Sequence, residues 1–179
     1  TPMGVRRVDA RSALEMRDVV LAEFESSSIV VKAAAVADYR PAKASQHKMK
    51  KEDLGDGASI TLELVQNPDI LKEISARKED RTIVGFAAES QDVVAAAQRK
   101  LARKGCDLIV ANDISRADAG FEVDENAVLF IWPNGEVEEL PLLPKAGVAA
   151  QLFDRIEKLR VDRTEKLRDP KQSKHTTRQ

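Results

Sequence analysis

Cysteine, histidine and aromatic residues are scarce in this chain of 179 residues. The single cysteine, Cys106, excludes an intrachain disulfide framework and a multi-cysteine zinc site. The two histidines, His47 and His175, lie far apart, so neither a histidine-rich metal site nor a Ser/His/Asp triad can be assembled. Aromatic residues make up only 4%, and the core must be built from Val, Ile, Leu and Ala. No apolar run approaches the ~18–20 residues that span a bilayer, and no secretory signal opens the chain, which argues against a membrane protein. Neither a GxGxxG fingerprint nor a P-loop is present, and the missing glycines count against a nicotinamide-dependent oxidoreductase. A reducing cytoplasm is the expected compartment.

What is present is a charged, soluble-type composition, 42% hydrophobic and 33% charged, sufficient for one domain. The formal net charge of −1 hides an asymmetry. From Lys158 to Gln179 there are eight Lys/Arg against three Asp/Glu, whereas the rest of the chain is acidic. The basic end has no aromatics to stack on bases and no amphipathic face. It reads as a flexible basic tail over 160–179 following a domain over 1–159, and not as a nucleic-acid binder. The start, Thr1-Pro2-Met3-Gly4, reads as a cut inside a longer protein.

The hydrophobic pattern predicts a helix over Ala10–Phe24, with Leu14, Val20, Leu21 and Phe24 on its apolar face. Ile29–Val36 is a short apolar run suited to a strand covered on both faces. A long polar connection, 37–57, holds Lys48, Lys50 and Lys51 within four residues. Ser59–Leu64 alternates as a half-exposed strand with Ile60, Leu62 and Leu64 on one side. Asn67-Pro68-Asp69 has the residue types of a helix start, with Asn67 as its cap. Thr82–Glu89 and Asp107–Asp113 read as buried strands around a helix capped by Ser90 and ended by Gly105. Ala127–Trp132 and Glu136–Leu140 flank Asn134-Gly135 as a β-hairpin, and Pro144 opens a last helix. Apolar strands alternating with helices predict an α/β domain with a mainly parallel sheet, and ligands in such sheets bind beyond the carboxyl ends of the strands. Three segments lie there: Ala37–Arg40, Ala87–Ser90 and Asn112–Ser115.

Several residue groups there carry possible chemistry, each with a plainer alternative. Ala33-Ala34 with Asp38 and Arg40 would let a ligand approach the backbone beside an acid, or would form an ordinary strand exit. The lysine cluster would neutralise a polyphosphate, or would be a solvated loop. Pro68–Leu71 offers helix-start N–H groups to an anion, or is ordinary capping. Phe86 would meet a ligand, or pack in the core. Lys100 and Lys104, four apart on one helix, would face one anionic object, or would only complement the helix dipole. Cys106 has no histidine near it and reads as structural.

Taken in order, AAAVADYRP, KMKK, NPDIL, VGFAAES, Lys-x-x-x-Lys, DLIVANDIS and GFEVDENAV resemble the phosphopantothenate–cysteine ligase family over Ser28 to about Leu159. The likeness is to the bacterial kind that forms the C-terminal half of a bifunctional coenzyme A biosynthesis protein. The resemblance implies a Rossmann-like three-layer α/β domain with a lysine-bearing flap and a C-terminal β-hairpin, here without the family's first βα unit. It implies that 4′-phosphopantothenate, L-cysteine and CTP are joined through an acyl-cytidylate, giving phosphopantothenoylcysteine, CMP and pyrophosphate. Lys48 would be the catalytic flap lysine. Ala33, Ala34, Asp38, Lys48, Pro68, Asp69, Ile70, Leu71, Phe86, Lys100 and Lys104 would contact CTP or the intermediate. Lys100 and Lys104 rest on the resemblance alone, because the end of their helix is expected at the strand-start edge. Mg²⁺ would accompany the nucleotide with unassigned ligands, and FMN would belong to a separate decarboxylase domain. A homodimer, or a larger homo-oligomer when fused to that domain, is implied, and this fragment alone is expected to be inactive. The competing reading is a non-catalytic nucleotide-binding or assembly domain.

Overall fold

The computed structural model describes residues 1–43, 47, 50, 57, 59–114 and 124–168. They form two compact units: Thr1–Ser26 with Ala34–Ile70, and Ser27–Ala33 with the chain from Leu71 onward.

In the first unit, helix α1 (Ala13–Phe24) starts three residues later than the periodicity predicts. Its cap is Ser12, whose hydroxyl accepts the Glu15 N–H at 3.2 Å, while the Glu15 carboxylate accepts the Arg11 N–H at 2.9 Å. Ser12 and Glu15 thus close the helix start in the manner of a capping box, with the Arg11 N–H in place of that of Ser12, and this overrides the apolar pattern upstream. Phe24 is buried, but Leu14, expected on the same face, is exposed in the first turn. Strands β2 (Tyr39–Pro41) and β3 (Leu64–Gln66) pair antiparallel, with Arg40 opposite Val65. The strand expected at Ser59–Leu64 therefore begins only at its end. Ile60, Leu62 and Leu64, expected on one face of a half-exposed strand, are 51%, 61% and 55% exposed, and of the three only Leu64 lies in β3.

The second unit is built on a five-stranded sheet. Strands β1 (Ile29–Lys32), β4 (Thr82–Glu89) and β5 (Leu108–Asp113) are parallel. Strands β7 (Val128–Ile131) and β8 (Val137–Glu139) extend the sheet antiparallel, giving the order β1-β4-β5-β7-β8. The α/β class with a parallel half and a terminal hairpin is as expected. Strand β1 departs from expectation: it stops at Lys32 instead of Val36 and is only half-buried, since among the described residues it lies at the sheet edge with β4 as its one partner. The Asn134-Gly135 turn forms a three-residue loop. Gly135 takes φ 87°, and the Trp132 N–H donates to the Glu136 carbonyl at 3.0 Å.

Val84, Leu108, Val110, Val128 and Phe130 form one sheet face, packed by Val148, Leu152 and Ile156 of helix α4 (Lys145–Arg168). Strand alternation turns Ile83, Gly85, Ile109 and Ala111 to the other face. There, a Cβ on Gly85 would stand 2.7 Å from Cδ2 of Leu71 and 2.9 Å from Cδ1 of Ile109. Leu71 lies in the short helix α2 (Ile70–Ser75). Helix α3 (Val93–Lys104) is ended by Gly105 at φ 72°, as expected. Its N-cap is Asp92 in the left-handed region and not Ser90, and no side chain caps it.

Pro144 closes a two-strand pairing of β6 (Glu125–Asn126) with β9 (Leu143–Pro144), and the last helix starts one residue later. That helix runs to Arg168, so 160–168 continue it where a flexible tail was expected. The reason is a set of side-chain anchors. Arg160 donates to the Ser28 carbonyl at 2.9 Å, and Arg163 pairs with the buried Asp107. Residues 169–179 lie outside the described residues.

Candidate functional site

In the first unit, Asn67 gathers the segment that carries Asp38. The Asn67 N–H donates to the Asp38 carbonyl at 2.7 Å, and its side-chain amide donates to the Ala37 carbonyl at 2.8 Å. Arg40 donates to the Gln66 carbonyl at 2.8 Å and to the Asn67 side-chain oxygen at 3.1 Å. Asn67 therefore bridges two chain segments instead of capping the helix after it, an alternative open to its short amide. That helix has six residues and begins at Ile70. Asp38 and Asp69 are exposed, as are Ala34 and its neighbours, while Pro68 is half-buried. Ile70 is buried. Among the described residues of this unit, Asp38 and the Pro68-Asp69 corner are thus brought together through backbone and amide hydrogen bonds.

In the second unit, Ala33 follows β1 directly and is exposed. Leu71 is buried, filling the space left by Gly85, so its side chain serves packing. Phe86 is half-buried against the α4-side core, which is the packing alternative with part of the ring still accessible. Lys100 is half-buried on α3, and desolvation pushes its ammonium below the ordinary lysine range; Glu89 opposes this, and Lys104 and Arg103 add to it. Glu89 is the last residue of β4, at its carboxyl end. Side chains on a helix tilt toward its N-terminus, so the Lys100 stem runs back toward that rim. Lys104, the last residue of α3, keeps its place at the opposite end.

The sequence reading missed Asn67 as a bridge and Glu89 as the charge facing Lys100. The first was hidden because its residue type suited a cap, and the second because its partner lies eleven positions away. Lys48, Ser115 and Gly120–Val123 fall outside the described residues. Cys106 is buried and its thiol is pushed up to about 11, chiefly by desolvation, in keeping with a structural role. A cavity of about 1240 Å³ lies on the strand-start side of this unit, between Ile29, Asp80, Phe153 and Val161, and none of the described candidate residues lines it. Among the described residues no three His, Cys, Asp or Glu side chains converge as a metal site, and no helix is long and apolar enough to cross a membrane.

Residues 1–159 match the family described as the DNA/pantothenate metabolism flavoprotein C-terminal domain. The chain is 44% identical over 160 residues to the coenzyme A biosynthesis bifunctional protein CoaBC of Vibrio vulnificus (strain YJ016), covering 89% of this chain and 39% of that protein. It is 44% identical over 156 residues to the protein of the same name from Bacillus subtilis (strain 168), covering 87% and 37%. The chain thus spans about two fifths of the length of these relatives. A crystal structure of the C-terminal domain of CoaBC superposes with a TM-score of 0.72 at 34% identity, over 90% of this chain and 69% of that one. A DNA/pantothenate metabolism flavoprotein from Streptococcus pneumoniae, 17% identical with a TM-score of 0.66 over 85% of this chain and 72% of that one, shares the fold.

Proposed function

The chain belongs to the DNA/pantothenate metabolism flavoprotein C-terminal domain family, and on that premise we propose that it is a ligase domain of coenzyme A biosynthesis. It would join 4′-phosphopantothenate to L-cysteine at the expense of CTP. The observation that carries this reading is the match to the CoaBC C-terminal domain, in sequence and in fold, over nine tenths of the chain.

In this reading the substrate carboxylate attacks the α-phosphorus of CTP, and the bond to pyrophosphate breaks. The cysteine amine then attacks the acyl carbonyl and loses a proton, and CMP leaves. Neither step needs an enzyme nucleophile. Positioning and charge neutralisation suffice, in keeping with a sequence from which no triad can be assembled. The flap lysine Lys48 would neutralise charge on the triphosphate. The family resemblance supplies the remaining contacts: Ala33, Ala34, Asp38, Pro68, Asp69, Ile70, Leu71, Phe86, Lys100 and Lys104. The hydrogen-bonded corner at Asp38 and Asn67 and the location of Lys100 near Glu89 support two of these. With Ile70 and Leu71 buried, their share would come from backbone. A divalent cation such as Mg²⁺ would supply phosphate charge neutralisation. It would be held mainly by the nucleotide's own oxygens, since the described residues offer it no cage. FMN would belong to a separate decarboxylase domain, and the setting would be cytoplasmic.

The exposed apolar row of Tyr39, Ile60, Leu62 and Leu64 supports a homodimer formed through the first unit. Leu62→Glu would then yield monomers in sedimentation analysis. The chain as given is expected to be inactive by itself.

The test is pyrophosphate release from CTP by a longer polypeptide containing this chain. Release that depends on 4′-phosphopantothenate, followed by product formation on adding L-cysteine, is expected. Lys48→Gln should lower turnover with the fold intact. Unchanged turnover in that variant would favour a nucleotide-binding or assembly domain, and robust turnover by this chain alone would overturn the expectation of inactivity.

A further inference from the structure

Both peptide groups that flank Asp38 are held by one residue of the first unit. The carbonyl before its Cα, that of Ala37, accepts the Asn67 side-chain amide at 2.8 Å. The carbonyl after it, its own, accepts the Asn67 N–H at 2.7 Å and carries the antiparallel ladder one step past the Tyr39–Gln66 pair. A residue has two soft backbone dihedrals, and the orientations of its flanking peptides fix both. Asn67 is itself held by Arg40 of β2. Nη1 of Arg40 donates to the Asn67 carboxamide oxygen at 3.1 Å, and to the Gln66 carbonyl in the peptide just before it at 2.8 Å. This contact decides how the carboxamide is turned. Reversed, its NH₂ would meet the Arg40 donor and its oxygen would meet the Ala37 carbonyl.

Asp38 is exposed at the end of this relay, whereas Arg40 and Asn67 are half-buried. An exposed carboxylate on a backbone held from both sides suits a ligand contact, because the segment is ordered before the ligand arrives. We propose that Arg40 and Asn67 are positioning residues for nucleotide binding, acting through Asp38. This rests on the ligase reading, in which Asp38 contacts CTP. Asn67 fixes the backbone of Asp38, and Arg40 fixes Asn67. The Arg40 guanidinium serves here as a hydrogen-bond donor to the protein and not as a charge for the triphosphate. Breaking the relay at either residue lets Asp38 wander, which weakens the hold on CTP and leaves the hold on L-cysteine as it was.

The test uses the longer polypeptide that contains this chain, with Asn67→Ala, Arg40→Met and the double variant, each made also in an Asp38→Ala background. Asn67→Asp, which keeps the acceptor for Arg40 but has no N–H for Ala37, stands in where Asn67→Ala fails to fold. Steady-state turnover gives kcat and the KM for CTP and for L-cysteine, calorimetry gives the Kd for CTP, and urea gives the unfolding midpoint. Each single variant should raise the KM and Kd for CTP about 3–10-fold, with kcat and the KM for L-cysteine unchanged. The double variant should be no worse than either single, and neither substitution should weaken CTP further once Asp38 is gone. An unchanged hold on CTP, or a loss confined to kcat alongside a lower unfolding midpoint, would overturn the positioning role. Losses that persist in the Asp38→Ala background would overturn it too, since they mark a direct contact with the nucleotide. Absence of pyrophosphate release by the parent polypeptide, with the same pattern in the Kd for CTP, would sink the ligase reading and keep the positioning role.

Discussion

Asp107, at 3% side-chain exposure, receives the Lys78 ammonium at 2.8 Å on one carboxylate oxygen. Arg163 of α4 pairs with that oxygen as well, and the other accepts the Ile83 N–H of β4 at 2.8 Å. A single carboxylate therefore ties together the turn before β4, the first residues of β4, the start of β5 and the distal half of α4. Its burial is tolerated because both oxygens are satisfied and the charge is shared by two cations.

Removing that carboxylate should loosen α4 first. Asp107→Ala takes the carboxylate acceptor from the Ile83 N–H and the opposing charge from both cations, although Lys78 keeps the Gly105 carbonyl and Arg163 the Arg81 carbonyl, and both are partly solvated and so recover part of the loss. The expected cost is about 2–4 kcal/mol, read as a lower midpoint in urea unfolding. Amide exchange should rise over 160–168 ahead of the β4–β5 pairing.

Gly85→Ala should destabilise the second unit by about 1–3 kcal/mol through overpacking. The added methyl would meet Leu71 and Ile109 at sub-contact distances. Since Cδ2 of Leu71 is the nearer obstacle, Leu71→Val should recover part of this cost in the double variant. Thermal unfolding of the four proteins of the cycle measures the coupling. Additive losses would show that the strand itself, and not the contact, is what suffers.

Cys106 has a folded pKa of about 11 against an ordinary 9.0. A raised thiol pKa means that the unfolded chain ionises first, so the stabilising contribution is full below about pH 9 and is lost as pH rises through about 11. Cys106→Ala should therefore unfold less steeply with pH over this window than the parent chain, in denaturant titrations at pH 8, 9.5 and 11. Alkylation by iodoacetamide at pH 8 should be far slower than for a free thiol.

Glu89→Gln removes the charge that holds the Lys100 pKa up, so the pKa should fall further below the lysine range. Lys104→Gln removes a like charge and should let it rise. NMR titration of the Lys100 side chain checks both signs. Because desolvation lowers the folded pKa, protonated Lys100 costs stability at neutral pH, and this cost is relieved as pH climbs toward 10.5. Glu89→Gln should enlarge the neutral-pH cost.

The elements readable from the chain alone were those whose signals are local and strong. Thr82–Glu89 forms its strand with the expected bounds, Gly105 stops α3, and Asn134-Gly135 turns the hairpin. Readings failed where a tertiary partner outbid a local rule. Asn67 has the residue type of a cap, yet Ala37 and Arg40 claim its amide. Leu64 continues an apolar alternation, yet the ribbon it joins leaves it exposed. Arg160 and Arg163 read as part of a basic tail because their acceptors, Ser28 and Asp107, are more than fifty positions away.

Sequence by itself determined the α/β class, the order of elements and the family resemblance, because apolar periodicity, turn residues and ordered motifs are properties of neighbours along the chain. Only the tertiary structure decided which polar groups are satisfied. It paired Asp107 with two distant cations and set Glu89 against Lys100. Hydrogen bonds and charges act through space over a few ångströms, and the separation of two residues in sequence does not record that distance.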